Sequence, residues 1–526
     1  MTCSEKRITM TIDEIIGQKL VIGFWGQEIP DEFRDIVKKY KIGNVILFRE
    51  NLKDEAQIKE LCRDIQELVT GETGIPAFIM IDQEGGMVSR LPVSMVNIPG
   101  AMAIAGTGDP QNANISGYYT GLQLRELGCN FDLAPVLDIN SNPSNPIIGC
   151  RSYGETPEVV SSFSMEMVRG LEKAGVAACG KHFPGHGDVS KDSHVTLPLV
   201  DKTLDELEKM ELVPFANAIN NGIPAIMTAH ILFPKIEKEK VPATMSRTIL
   251  TGLLREKMGF EGMILTDCLE MQAIQKFYGT ENGAVAALKA GADIAMISHT
   301  PAFVPKVVAM VKEAVEAGDI DLAEMKKSAN RIIAYKEKYL GKNDSRNMDV
   351  RNADITNVDT GNIVPNEKLS LQSKIEEIRH QSLKLISKAD YPIMIDEKTL
   401  FISPNAFNGW RVGNEKEDIS EAFCEILKER LGGRSLLISE NPDEAEIEEA
   451  LRISRESSFI IVGTYNAHVF KGQLKLIDRL ISKHSKIAVF ALRDPYDLDE
   501  LQGNIWKYAA YEYTMPMVEC IAKIIS

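Results

Sequence analysis

Apolar residues gather in short runs at 20–24, 43–48, 77–81, 131–137, 177–181, 225–228, 263–266 and 293–297. Each is four to seven residues long, the length of a strand buried on both faces. Stretches with helical spacing lie between them, at 31–40, 54–69, 157–174, 204–220 and 284–290. Eight strand-then-helix units predict a parallel (β/α)8 TIM-like barrel over residues 1–340. A doubly wound open sheet alternates in the same way. The count of eight suits closure, however, and no glycine-rich dinucleotide fingerprint follows any of the runs.

Beyond residue 340 the pattern changes. Residues 341–374 read as a linker, rich in Asn and Asp up to about residue 368. Strand-like runs then return at 399–402, 436–438, 459–462 and 487–492, separated by helical stretches at 419–430 and 473–482. They predict a smaller α/β/α sandwich domain over 375–526. It carries no cluster of titratable residues comparable to those of the first domain, so a structural or interface role is expected of it.

In a barrel of this kind the chemistry sits on loops after the C-terminal strand ends. The polar clusters follow the apolar runs in this way: Asp82-Gln83-Glu84-Gly85-Gly86, Asp138-Ile139-Asn140, Lys181-His182, His230, Asp267 and Ser298-His299. Placement and architecture therefore support each other.

Composition narrows the partners. The 59 basic and 75 acidic side chains leave a formal charge of −16, which argues against nucleic acid or an anionic membrane as the main partner. A charged fraction of 25% and a hydrophobic fraction of 44% are those of an ordinary globular protein. No run approaches the roughly 20 apolar residues of a membrane span. The N-terminal segment has neither an uninterrupted apolar core nor a small-residue cleavage site, so no signal peptide is expected. Eight scattered cysteines without a CxxC pair fit reduced thiols, and a cytoplasmic location is expected.

The densest chemistry lies at residues 181–194, which hold three histidines, two aspartates and two lysines, punctuated by Pro184, Gly185 and Gly187. Asp192 stands two residues before His194 and can orient its imidazole and favour the imidazolium, giving an acid that works near neutral pH. A solvated loop of no chemical purpose has the same composition. The competing reading is a metal site from His182, His186, Asp188 and His194. Neither HExxH nor a cysteine-based spacing supports it, and Pro184-Gly185 breaks any helix that would align His182 with His186, so no metal and no cofactor is expected. Asp267 directly follows the run at 263–266. It reads as a nucleophile, a cation-stabilising group or a cap for the next helix. Asp82, Arg90, Arg151 and Lys181 converge on the same mouth and suit the hydroxyls and amide of a sugar. The plainer alternative for Glu84 and Arg90 is a structural ion pair.

Together these segments resemble glycoside hydrolase family 3, in its two-domain β-N-acetylglucosaminidase (β-N-acetylhexosaminidase) branch. The motifs come in the family's order: 18–24, 43–48, 130–138, 140–143, Arg151-Ser152-Tyr153-Gly154, 181–187, 242–246 and 290–293. In the second domain Arg493-Asp494-Pro495-Tyr496-Asp497 and 510–513 also match. The branch assignment rests on Lys181-His182-Phe183-Pro184-Gly185-His186-Gly187 followed by Asp192-Ser193-His194. Met87 and Cys268 depart from the common pattern, where Arg and Asp or Ala are usual.

The resemblance implies a retaining exo-β-N-acetylglucosaminidase that releases non-reducing terminal β-linked GlcNAc, from peptidoglycan fragments in cell-wall recycling, through a glycosyl-Asp intermediate. Asp267 would be the nucleophile and His194 the acid/base, oriented by Asp192. Asp82, Arg90, Arg151, Lys181 and His182 would contact the sugar. A phosphorylase that uses phosphate in place of water is the alternative; a β-glucosidase and a non-catalytic sugar-binding protein rank below it. The expected partner is a small glycan or muropeptide, with no nucleic acid, no membrane and no obligate protein partner.

Overall fold

The computed structural model describes residues 10–189, 197–341, 365–404 and 422–526. The first domain is built on eight parallel strands: β1 Leu20–Ile22, β2 Asn44–Leu47, β3 Phe78–Ile81, β4 Phe131–Asp132, β5 Ala177–Phe183, β6 Ala225–Thr228, β7 Met263–Thr266 and β8 Ala295–Ile297. Neighbours in sequence are neighbours in space, and β1 also pairs with β8. A bridge between Leu265 and Ile294 joins β7 to β8 and closes the ring.

The strands are short and mostly apolar because each has two buried faces, with Asn44, Asp132, Lys181, His182, Thr228 and Thr266 as the polar positions. Val21, Ile46, Phe78, Met80, Phe131, Ala177, Cys179, Ala225, Met227, Met263, Leu265 and Met296 belong to one apolar cluster. Their neighbours in the same strands, among them Ile22, Val45, Leu47, Ile79, Ile81, Ala178, Ile226, Ile264, Ala295 and Ile297, belong to a second cluster shared with the helices. The period-two split between the clusters is the pleat of a barrel strand.

Most predicted elements form with shifts of a residue or two. The run at 131–137 is the exception, since only Phe131–Asp132 is regular strand. Pro135 has no N–H to continue a ladder, although Ala134 and Pro135 still accept from the backbones of Cys179 and Lys181. The predicted helix at 204–220 is two helices, Leu204–Lys209 and Leu212–Asn220, separated where Met210 leaves helical geometry (φ −135°, ψ −87°).

The second domain is a six-stranded sheet, β9 Lys384–Ser387, β10 Leu400–Pro404, β11 Arg434–Ile438, β12 Ile460–Thr464, β13 Ile487–Ala491 and β14 Trp506–Ala509, in the order β11-β10-β12-β13-β14-β9. Five strands are parallel and β9 joins antiparallel at the edge. One face packs Phe401, Ile461 and Phe490 against Phe423 and Ile521. The other packs Ile402, Ile460 and Val489 against Ile447 and Ile477. Helices thus cover both faces, an α/β/α sandwich. The sequence pattern misses β9 and β14: β9 is an exposed edge strand, and neither is the long apolar run that marks a buried one.

A helix at Pro365–Ser382 begins inside the segment read as linker. Its Ile375 and Ile378 join the apolar cluster of the barrel. Arg379, fully buried, bonds Glu512 at 2.8 Å and the Asn97 carbonyl at 2.5 Å. Glu512, just beyond β14, in turn accepts from the Gly100 N–H of the barrel domain at 2.6 Å. One buried ion pair therefore ties both domains to this helix. Removing one member strands the other charge in the interior. Arg379→Met is expected to lower stability by roughly 3–5 kcal/mol, measured as a drop in the urea midpoint; an unchanged midpoint would show that the pair contributes nothing.

Candidate active site

The C-terminal ends of the barrel strands bring the sequence candidates together. Asp82 leaves β3, Asp138 follows β4, Lys181 and His182 end β5, His230 follows β6 and Asp267 follows β7. Arg151 arrives on a single turn, Gly149–Arg151, at the far end of the long loop after β4.

Five side chains form a charge ladder across the mouth. The Lys181 ammonium donates to Asp82 at 2.8 Å and lies 2.6 Å from Glu84. The Arg151 guanidinium grips Glu84 with two bonds, Nε to Oε2 at 2.9 Å and Nη2 to Oε1 at 2.8 Å. Arg90 approaches the other oxygen of Asp82 at 3.9 Å. Burial alone would push Glu84 up, but Arg151 and Lys181 outweigh it and hold its carboxyl well below the usual range. Lys181 is likewise buried, and Asp82 and Glu84 keep it charged by raising its pKa.

This geometry corrects the reading of Glu84. Its carboxylate is taken by Arg151 and Lys181, whereas Arg90 faces Asp82. Glu84 is thus the keystone that spaces two cationic donors, a role the chain order could not reveal. The sequence signal that points to it is its place in Asp82-Gln83-Glu84-Gly85-Gly86, two residues after a strand-end aspartate.

A second cluster surrounds Asp138, also missing from the sequence-derived site. Its carboxylate accepts from His182 Nδ1 at 2.6 Å and from the backbone N–H groups of His182 and His186 at 3.2 and 2.7 Å. Burial favours the neutral acid, yet the His182 ring and these bonds lower its pKa. With Nδ1–H committed to Asp138, the other edge of the His182 imidazole is the one left for chemistry. His186 is half-buried beside it, and loss of solvent pushes it down to about 4, so it stays neutral. The close approach is possible because of Gly187, where a Cβ would lie 1.6 Å from the Ile139 carbonyl oxygen.

Asp267 sits between this cluster and β8. Its Oδ1 accepts from the Cys268 N–H at 2.7 Å. Burial pushes its carboxyl up, but His230, His182, that N–H and Lys181 leave the net shift downward. An ionised carboxylate at the strand end is thereby maintained. His230, whose pKa burial lowers, donates from Nε2 to the Cys268 carbonyl at 2.9 Å, and its Nδ1 lies 2.8 Å from the Thr244 hydroxyl. It therefore braces the backbone that carries Asp267. The Cys268 thiol is pushed up to about 12 by burial, so it stays neutral beside the carboxylate.

Asp192 and His194 lie outside the described residues. Among the described residues no group of three or more His, Cys, Asp or Glu side chains could hold a metal ion. His182 and His186 are committed instead to the Asp138 cluster, with ring centroids 5.6 Å apart.

What these residues can do is hold a polyhydroxylated ring by paired carboxylates and cationic donors beneath an ionised aspartate. Comparison with known proteins supplies the family. Residues 11–335 match the Glycosyl hydrolase family 3 N terminal domain. A glycoside hydrolase family 3 β-N-acetylglucosaminidase from Paenibacillus sp. str. FPU-7 is 36% identical, with 98% of this chain and 97% of that one covered and a TM-score of 0.85. Beta-hexosaminidase A of Pseudoalteromonas piscicida is 34% identical over 371 residues, which take in 63% of this chain and 62% of that relative, so the chain spans less than two thirds of its length. NagZ from Neisseria gonorrhoeae, solved in complex with N-trifluoroacetyl-D-glucosamine, is 28% identical over 68% of this chain and 97% of that one, with a TM-score of 0.56. A TIM-like barrel with an ionised strand-end aspartate, an α/β sandwich behind it and relatives of this kind identify the chain as a glycoside hydrolase, a member of family 3.

Proposed function

We propose that this glycoside hydrolase is a retaining exo-β-N-acetylglucosaminidase, with Asp267 as nucleophile and His194, oriented by Asp192, as acid/base. The observation that carries the proposal is the state of Asp267: a carboxylate held ionised at the β7 exit, beside His182 and Lys181. An ionised carboxylate can attack an anomeric carbon, whereas a neutral one cannot. The 36% identity to a β-N-acetylglucosaminidase over 98% of this chain supports the sugar assignment.

In the first step Asp267 forms a bond to the anomeric carbon while the glycosidic C–O bond breaks. The departing oxygen takes a proton from the His194 imidazolium. In the second step neutral His194 accepts a proton from water, which displaces Asp267 and releases the sugar with its configuration retained. Asp82, Lys181, Arg151, Arg90 and His182 hold the ring hydroxyls. Asp82 accepts, the cations donate, and Glu84 sets the spacing of Lys181 and Arg151. The substrate we assign is a peptidoglycan fragment with a terminal GlcNAc, met in the cytoplasm. The described cysteines are all free thiols, as a reducing compartment requires, and no described helix is long and apolar enough to cross a membrane.

Two experiments test this reading. Wild-type protein is expected to hydrolyse p-nitrophenyl β-N-acetylglucosaminide in preference to the β-glucoside, and Asp267→Ala to lose roughly 10³-fold or more in kcat; preferred cleavage of the glucoside would sink the sugar assignment. His194→Ala is expected to cost about 10²–10⁴-fold on methyl β-N-acetylglucosaminide, whose leaving group needs a proton. In kcat/KM, which reports the first step, the same variant should largely spare the 2,4-dinitrophenyl glycoside, which leaves unprotonated. In wild type, kcat/KM on the methyl glycoside should fall on the alkaline side as the imidazolium is lost, around pH 6–7.5. On the acid side Asp267, with its lowered pKa, stays ionised at pH 5 and sets no limit there. Equal losses on both glycosides would remove His194 from the acid role.

A further inference from the structure

The loop that delivers Arg151 runs from Asp138 to the turn at Gly149–Arg151, and the second domain holds it along its length. The holding residues lie beyond the C-terminal ends of β12 and β13. They include the Arg493-Asp494-Pro495-Tyr496-Asp497 segment, which the sugar chemistry leaves unused. Asp494 Oδ1 accepts from the Cys150 N–H at 2.7 Å, one residue before Arg151. Arg493 Nη2 donates to the Pro146 carbonyl at 3.2 Å. The Tyr496 hydroxyl accepts from Asn140 Nδ2 at 2.7 Å. His468 Nε2 meets the Pro143 carbonyl at 3.1 Å while its Nδ1 meets Asp497 Oδ1 at 2.7 Å.

Three details show that this contact is built rather than incidental. Gly149 has φ +44°, and a Cβ there would stand 2.4 Å from Asp494 Oδ1, so the carboxylate reaches the backbone only because residue 149 is glycine. Both partners of the His468 ring are pure acceptors, so both of its nitrogens donate and the ring is an imidazolium. Burial opposes that charge, but Asp497 and Asp494 outweigh it and raise the pKa. Asn466, with its amide oriented so that both bonds form, donates to Asp494 Oδ2 at 3.1 Å and accepts from Arg493 Nη1 at 2.7 Å, which locks the two residues together.

We propose that Asp494, Arg493, Tyr496 and His468 form a clamp by which the second domain positions Arg151, making them positioning residues for sugar binding. The proposal rests on the assignment of Arg151 to the sugar pocket. Its physical basis is geometric. Arg151 makes two parallel bonds to Glu84 and a third to the Ile147 carbonyl at 3.3 Å, so a backbone shift of about 1 Å disrupts the fork, and misplacements of that size cost up to about 10²-fold. The second domain thereby becomes a working part of a pocket whose sugar-contacting residues all come from the barrel.

The test compares Asp494→Ala with Asp494→Asn, which keeps an oxygen facing the Cys150 N–H. Kinetics on p-nitrophenyl β-N-acetylglucosaminide and binding of N-acetylglucosamine by calorimetry are both read. The alanine variant is expected to raise KM and the sugar's Kd about tenfold or more, with kcat within about threefold, and the asparagine variant to stay within about threefold of wild type throughout. An unchanged KM and Kd in the alanine variant overturns the clamp. So does a fall in kcat alone, or equal loss in both variants. If the alanine variant fails to fold, Tyr496→Phe and His468→Gln, each removing one bond to the loop, decide the matter: raised KM and Kd support the clamp, wild-type values in both overturn it. Wild-type protein that binds N-acetylglucosamine without hydrolysing the glycoside would defeat the proposed activity, and the Kd series would still judge the clamp.

Discussion

Charges cannot stay in a protein interior unless they are paired, and this constraint organises the mouth of the barrel. Lys181 and Arg151 are buried cations. They remain charged because Glu84 lies between them and Asp82 completes the set. Isolated, each would suffer a desolvation penalty of several kcal/mol. Linked, they form a rigid cradle whose outward polar edges are already oriented before a ligand arrives. A single keystone carboxylate thus converts a destabilising requirement into preorganisation.

The same rule recurs around the nucleophile. Asp138 is kept ionised by His182 and by two backbone donors, and it orients the His182 ring in return. Asp267 is kept ionised by its surroundings, while His230 steadies the carbonyl of the next residue. At each point one group carries the charge and a neighbour fixes its geometry. Glu84, Asp138 and His230 are the neighbours, and they explain why the barrel mouth holds more titratable residues than its sugar contacts require.

The pattern reaches beyond the barrel. Asp494 and Glu512 of the second domain each accept a backbone N–H from the barrel domain, from Cys150 and Gly100. Both of these carboxylates are buried, so the domain boundary is drawn by polar groups that must satisfy each other and not by apolar contact alone. A sandwich domain without catalytic residues can in this way bear on the pocket through the loop it grips.

Much of this was legible in the chain. Strands buried on both faces read as apolar runs, so eight of them and the polar clusters at the ends of six announced the barrel and put Asp82, Lys181, His182 and Asp267 on one rim. Strand β9 escaped because an exposed edge strand needs no apolar run, and β14, paired on both sides, because Lys507 interrupts its short run. Asp192 and His194 rest on motif alone, since they lie outside the described residues. What the sequence by itself determined was periodicity and residue type, the quantities set by which faces are buried. Which carboxylate pairs with which cation was decided only by the tertiary structure. Glu84 and Arg151 are 67 residues apart, and Asp494 and Cys150 are 344 apart. Pairing of this kind depends on where distant strand ends converge, and no local pattern in the chain encodes that distance.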